Sequence, residues 1–346
     1  MNARDANAER TSLVGQLLEE WLPFAPATGE LPDPTPAEGP DPYGDPDAEW
    51  PTVDWRAHLH RVEVPLHGEP LPERDPDEPT SVNYVELSAA KPESRLTVLF
   101  VHGLSGSWQN WLENIPHLAR THRVIALDLP GFGHSPLPPW RVSIEAYGRL
   151  VHGFCQVLGV GDCAIVGHSM GGYISAEAAA AEPDRFEKVA LVSAAGVTSA
   201  RLRRQPAETM ARMAAGAAPL LLRMQTRGLR RPRLRWATFS GLFQHPELLR
   251  RELLLEVFHN GAGRPGLLPA VQGLVGYEIL DQLDDVEVPT LIVWGRNDRV
   301  VPPQDAVAYG RRLRNSRTVI MDDTGHVPQL ERPVRFNRVL ETFLAE

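Results

Sequence analysis

The chain has 346 residues, 42% of them hydrophobic, which is enough for one large core and an accessory module. Its formal net charge of −9 argues against a nucleic-acid partner held by bulk charge, and no Cys/His spacing resembles a zinc site, so no metal or cofactor is expected. The two cysteines, Cys155 and Cys163, read as buried thiols rather than a disulfide. The first residues lack the apolar stretch of a signal peptide, and no apolar run approaches the ~18 residues of a membrane span. A soluble, cytoplasmic protein with no transmembrane segment is the expectation.

In chain order, residues 1–60 form an N-terminal arm. Leu13, Val14, Leu17, Leu18, Trp21 and Leu22 share one helical stripe, with Gln16, Glu19 and Glu20 opposite. The stretch from Pro23 to Pro51 is dense in proline, glycine and acids, and such proline density forbids a helix, so extended chain or a disordered tail is predicted. Arg61–Leu66 and Val82–Leu87 then read as strands. Leu96–Val101, Arg123–Leu127, Cys163–Val166, Lys188–Val192, Thr290–Trp294 and Thr318–Met321 are further apolar runs, most of them unbroken, of the kind that suits strands buried on both faces of a parallel sheet. Helical patterns lie between them, at Ile144–Leu158 and Tyr173–Ala181 among others. This alternation predicts an α/β doubly wound sheet, with ligands at the carboxyl ends of the strands. It is interrupted between Val197 and Asp285 by helix-like stretches without a good strand. The predicted organisation is therefore a core of 61–196 and 286–346 and a helical cap of 197–285.

The strand Cys163–Val166 runs into Gly167-His168-Ser169-Met170-Gly171-Gly172 and then a small-residue helix. This is G-x-S-x-G in strand–turn–helix context. A sharp turn there pushes the serine Oγ above the sheet and crowds the residues two before and two after it, which Gly167 and Gly171 accommodate. A serine hydroxyl needs a base, and the base needs an acid to hold its tautomer. In this architecture the acid and then the histidine follow the serine. Beyond residue 298 the only histidine is His326, in Asp323-Thr324-Gly325-His326. The acid is Asp298, at the end of Thr290–Trp294 through Gly295-Arg296-Asn297; the loop Ser193-Ala194-Ala195-Gly196 offers no carboxylate. The expected oxyanion donors are the backbone N–H groups of Met170 and of Leu104, the latter in His102-Gly103-Leu104-Ser105-Gly106. His102 and His168 read as structural.

From about Arg61 to Glu346 the chain resembles the α/β-hydrolase superfamily. The resemblance is carried by His102-Gly103, Asp128-Leu129-Pro130-Gly131-Phe132-Gly133-His134-Ser135, Gly167–Gly172, Trp294-Gly295-Arg296-Asn297-Asp298 and Thr324-Gly325-His326. It implies an eight-stranded, mostly parallel sheet with helices on both faces, the cap inserted after the sixth strand, and an acyl-enzyme mechanism. The serine nucleophile departs from haloalkane dehalogenases and epoxide hydrolases, and the elbow lacks the tryptophan of proline iminopeptidases. His168 stands where many carbon–carbon hydrolases carry asparagine. What remains is most similar to a carboxylesterase or monoacylglycerol-type lipase acting on a small apolar ester. A thioester, a carbon–carbon bond or peracid chemistry stays open, as does a binding protein on a hydrolase scaffold. Oligomeric state is not legible.

Charge is segregated along the chain. Arg201, Arg203, Arg204, Arg212, Arg223, Arg227, Arg230, Arg231, Arg233 and Arg235 share their span with Glu208 as its sole acid, whereas the arm and the loop after the first strand are rich in Asp and Glu. A solvated arginine face, contact with an anionic membrane or substrate, and docking of the acidic arm on the cap are the three readings.

Overall fold

The computed structural model describes residues 30–346 except 66–68, 73–74, 76–77, 90–93, 201–204, 206, 210, 214–228, 230 and 262–263. The stripe Leu13–Leu22 and six of the ten cap arginines (201, 203, 204, 223, 227 and 230) lie outside the described residues.

Eight strands form one sheet: β1 (Leu59–Val64), β2 (Thr80–Ser88), β3 (Thr97–Val101), β4 (Arg123–Leu127), β5 (Cys163–His168), β6 (Lys188–Val192), β7 (Thr290–Gly295) and β8 (Ser316–Met321). Their order is β1-β2-β4-β3-β5-β6-β7-β8. Strand β2 pairs antiparallel with both its neighbours, and every other pairing is parallel. The mostly parallel sheet expected from the sequence is thus present. The first strand begins at Leu59, two residues earlier than its apolar pattern predicts, because Leu59 and His60 register against Val85 and Tyr84. β3, β5 and β7 are buried along their whole length, whereas the edge strands β1 and β8 are partly exposed.

Side chains alternate between the faces with the two-residue period of a strand. Leu99, Val101, Ile165 and Leu191 face one core, with Tyr147 and Phe154 of helix α1 (Ile144–Val157) and Tyr173 and Ile174 of helix α2 (Met170–Ala181). Val98, Phe100, Val166 and Val192 face the other, with Trp111 and the Phe336 and Leu340 side chains. Between β6 and β7 the described residues contain helices α3 (Pro232–Phe239), α4 (Arg251–Gly261) and α5 (Leu267–Leu274), besides a short helix at Val197–Ala200, helical residues within 205–213 and shorter turns, and no strand. Helix α6 (Gln304–Arg312) joins β7 to β8, and α7 (Pro333–Ala345) closes the chain. Cys155 and Cys163 are buried and unpaired. No helix among the described residues is long and apolar enough to cross a membrane.

Residues 30–49 form no helix or strand, as their proline content requires, and two short 3-10 turns, Trp50–Thr52 and Trp55–His58, follow; the segment lies against the core. Thr35 donates its N–H to Ile320 O (2.8 Å) and its hydroxyl accepts the Ile320 N–H (3.0 Å), so this segment covers the free edge of β8. Proline removes donors and keeps carbonyls, and the resulting surplus of acceptors is met by arginines. Arg335 donates to Thr35 O (2.5 Å), Arg332 to Asp41 O (3.0 Å), and Arg338 to Glu38 O and Pro40 O. Arg335 also pairs with the Asp41 carboxylate at 3.2 Å. From the segment between β6 and β7, Arg250 donates to Pro46 O (2.6 Å).

Candidate active site

Ser169 is the single residue between β5 and α2. Its backbone, at φ 54° and ψ −119°, is strained for a residue with a side chain, and it is held by Ser169 N–H to Val192 O (2.9 Å) and Ala195 N–H to Ser169 O (3.0 Å). The flanking glycines are required by space. A Cβ on Gly167 would lie 2.2 Å from Gly171 O, and one on Gly171 would lie 2.2 Å from Val101 O. The turn after β3 backs directly onto the serine: a Cβ on Gly103 would sit 2.9 Å from Ser169 Cβ. Leu104 follows in that turn and is partly buried, and Met170 opens α2.

His326 follows β8 and Asp298 follows β7. His326 Nδ1 lies 2.8 Å from Asp298 Oδ2, and both side chains are buried. The other carboxylate oxygen, Oδ1, accepts the N–H groups of Val300 (2.8 Å) and Val301 (2.9 Å). A carboxylate oxygen accepts, so Nδ1 is the donor of this bond and Nε2 is the ring nitrogen left free of Asp298. The His326 N–H donates to Leu242 O (2.8 Å), from the segment between β6 and β7.

His168 and His102 support this arrangement from beneath. His168 Nε2 donates to His326 O (2.9 Å), and the two rings lie 4.8 Å apart. Burial, with the neighbouring His326 adding to it, pushes the His168 imidazole well below the usual histidine range, so it stays neutral. His102 accepts the Leu129 N–H at Nε2 (2.9 Å) and donates from Nδ1 to Gly103 O (2.7 Å), so it ties the turn after β3 to the loop after β4. Burial lowers its pKa as well.

Glu331 and Tyr43 belong to the site's frame and were not legible in the sequence. The fully buried Glu331 accepts the N–H of Gly325 (3.0 Å) and of Val327 (3.1 Å), the residues on either side of His326. It also accepts the Gln244 N–H (2.8 Å) and the Tyr43 hydroxyl (2.5 Å). Burial raises its pKa, against the pull of these hydrogen bonds. Tyr43 in turn accepts the His245 N–H (2.8 Å). One carboxylate therefore joins the arm, the histidine loop and the segment between β6 and β7. The one signal in the sequence is an acid that closes the mostly apolar stretch Val327-Pro328-Gln329-Leu330. Tyr43 has none, since its partner lies 288 residues away.

A strained, partly buried serine turn, a buried His–Asp pair and a glycine turn against the serine all lie at the carboxyl ends of parallel strands, where open α/β sheets bind ligands. A family model described as "alpha/beta hydrolase fold" matches residues 97–333. The chain belongs to that family. It is 30% identical over 261 residues to the dihydrolipoyllysine-residue acetyltransferase component of an acetoin cleaving system from Cupriavidus necator, covering 72% of this chain and 63% of that one. The chain thus spans less than two thirds of that relative's length. A monoacylglycerol lipase of Bos taurus is 25% identical, over 74% of this chain and 77% of its own. Among solved structures, a thermophilic esterase from Thermogutta terrifontis superposes with a TM-score of 0.64 at 26% identity, over 83% of this chain and 98% of that one.

Proposed function

We propose that the protein is a serine hydrolase that cleaves a carboxylic ester with an apolar acyl or alcohol part. The observation that carries this is the buried bond from His326 Nδ1 to Asp298, with the His326 ring 4.8 Å from that of His168, the residue before the strained Ser169. In this reading Ser169 Oγ attacks the carbonyl carbon as His326 takes its proton. The oxyanion is met by the N–H groups of Met170 and Leu104, and Gly167 and Gly171 shape the elbow. Collapse of the tetrahedral intermediate expels the alcohol, protonated by His326, and leaves an acyl-serine. Water, deprotonated by the same histidine, then attacks the acyl carbon and releases the acid and the free serine. Asp298 orients the imidazole and stabilises its charged form. In the same reading residues 197–285 are a cap over a core of 61–196 and 286–346. The esterase and lipase likenesses support the ester bond.

Likeness to an acetyltransferase component favours one second reading, an acyl-enzyme resolved by a thiol or formed from a thioester. Fluorophosphonate labelling tests what the two readings share: the wild type should label and Ser169→Ala should not. A panel of p-nitrophenyl esters and acyl thioesters separates them. Equal labelling of both proteins would remove Ser169 as the nucleophile.

A further inference from the structure

Helix α3 departs from the rule that the other long helices obey. Phe239 is its one buried residue, Arg235 is half-buried, and the rest of Pro232–Phe239 is exposed. The helix nonetheless carries two large apolar side chains outward, Leu234 at 44% exposure and Trp236 at 53%. Arg235 anchors it by donating to Glu247 O (2.6 Å), which brings the loop with Leu248, 60% exposed, alongside. Arg231 and Arg233 are exposed, and neither makes an ion pair among the described residues. In sequence, residues 231–246 hold three arginines and no aspartate or glutamate, Glu247 standing beside Leu248, in a chain of net charge −9.

The exposed aromatic and aliphatic groups cost free energy in water while the interleaved arginines are hydrated there, and both find partners at one kind of surface. The apolar groups enter the headgroup–acyl boundary while the guanidinium groups meet anionic phosphates. Trp suits this position because its ring is apolar and its N–H is polar. The shape agrees: a helix exposed nearly all round is convex and matches a soft planar partner better than it fills a protein groove. We propose that α3 and the adjoining Leu248 loop form a docking face for an anionic lipid surface.

The face is also linked to the candidate site. Ser240, just past the helix, accepts from Arg299 (2.7 Å), the residue after Asp298. Leu242 accepts the His326 N–H. Docking therefore brings the lipid surface to the segment that borders His326. The docking itself holds whether or not Ser169 is the nucleophile.

The test is co-sedimentation of the full chain with phosphatidylcholine vesicles, with and without phosphatidylglycerol, at low and high salt. Binding is expected with phosphatidylglycerol alone and should weaken with salt. The Arg231→Glu/Arg233→Glu variant should bind at least about tenfold more weakly, since each basic group near an anionic surface contributes roughly fivefold. Trp236→Ala should also bind more weakly. Both variants should keep the wild-type melting temperature and hydrolysis of a soluble short-chain ester. No binding to anionic vesicles, or equal binding by wild type and variants, overturns the proposal. Binding to soluble polyglutamate as tight as to vesicles and unchanged by Trp236→Ala would assign the face to an acidic polypeptide. Self-association that Trp236→Ala abolishes, without vesicle binding, would assign it to a second copy.

Discussion

Asp128 and Asp298 are both buried, and both follow a strand of the parallel set, β4 and β7 respectively. Their surroundings differ in one respect. Asp128 accepts from Trp108 N–H (2.8 Å), Asn83 Nδ2 (2.8 Å) and His134 N–H (2.9 Å), so both oxygens are held by groups of the frame. A Cβ on Gly133 would sit 2.2 Å from its Cγ, which shows how tightly the loop closes around it. Asp298 gives one oxygen to two backbone N–H groups and turns the other to His326. Position at a strand end is thus shared by a residue that fastens a loop and one that orients an imidazole. The partner of the second oxygen tells them apart.

The largest effect expected from this contrast is on rate. Asp298→Asn keeps an acceptor for Val300 and Val301 but places an NH₂ group against His326 Nδ1, which favours the wrong tautomer. With soluble p-nitrophenyl esters, kcat/KM should fall by roughly 10³–10⁴, by analogy with other triads. The urea midpoint should move little. The contrast would break if Asp128→Asn slowed turnover more than Asp298→Asn does.

Asp128→Asn should act on stability. An amide at this site loses the charge and turns a donor toward donors already present. The expected cost is about 2–4 kcal/mol, read from urea unfolding, since a buried network is being broken. The folded fraction should retain most of its activity. A variant as stable as the wild type would mean that the three bonds to Asp128 fasten nothing.

This contrast also shows what can be read from sequence. The β/α alternation and the parallel sheet are legible because strands buried on both faces leave unbroken apolar runs, as Cys163–Val166 does. The turns that carry Ser169, Asp298 and His326 are legible because each follows such a run. The edges are less so: β1 is half-exposed, its apolar pattern is weak, and its start moves to Leu59. Partners distant in sequence leave no trace. That Asp128 is saturated by Asn83, Trp108 and His134 is a property of packing. That a Pro-rich arm lies on Arg332, Arg335 and Arg338 follows from its surplus of carbonyls, yet nothing local selects which arginines meet it.

Glu113 supplies a third kind of buried carboxylate, with one strong donor, Trp50 Nε1 at 3.1 Å. Burial pushes its pKa up to about 7, with the Trp50 hydrogen bond opposing and Asp45 adding to the rise. The folded value lies above the unfolded one of about 4.3, so the native state binds this proton more tightly. Its contribution to stability is complete below about pH 4.3 and is lost as pH rises through about 7. Glu113→Gln should remove that slope. Relative to the variant, the wild type should lose up to about 3 kcal/mol between pH 4.5 and 7.5, by the conversion of about 1.4 kcal/mol per unit. Parallel stability profiles for the two proteins would refute this.

The smallest expected effect tests whether the arm reaches the chemistry. Glu331 resembles Asp128 in being saturated, but what it fastens is the loop that carries His326. Three of its four donors are backbone N–H groups from Gln244, Gly325 and Val327, and the fourth is the Tyr43 hydroxyl of the arm. Tyr43→Phe keeps the ring, which lies under Arg332 at 4.9 Å, and removes only the oxygen. Glu331 then keeps its backbone donors, while the His245 N–H loses its acceptor. The net cost in stability should be about 1–2 kcal/mol, that of one buried hydrogen bond to a charged group with its partner left unmet. His326 stays bonded to Asp298, so the rate should fall only about threefold to tenfold, a loss of the order of 1 kcal/mol in positioning. The decisive readout is how the loss divides. A positioning role lowers kcat and leaves KM unchanged, and Glu331→Gln, which disturbs all four bonds, should show the same division with a larger loss. If Tyr43→Phe shifts the urea midpoint while kcat and KM stay at wild-type values, the arm stabilises the protein without tuning the histidine. Glu331 would then join Asp128 as a fastening of the fold rather than stand between the two aspartates.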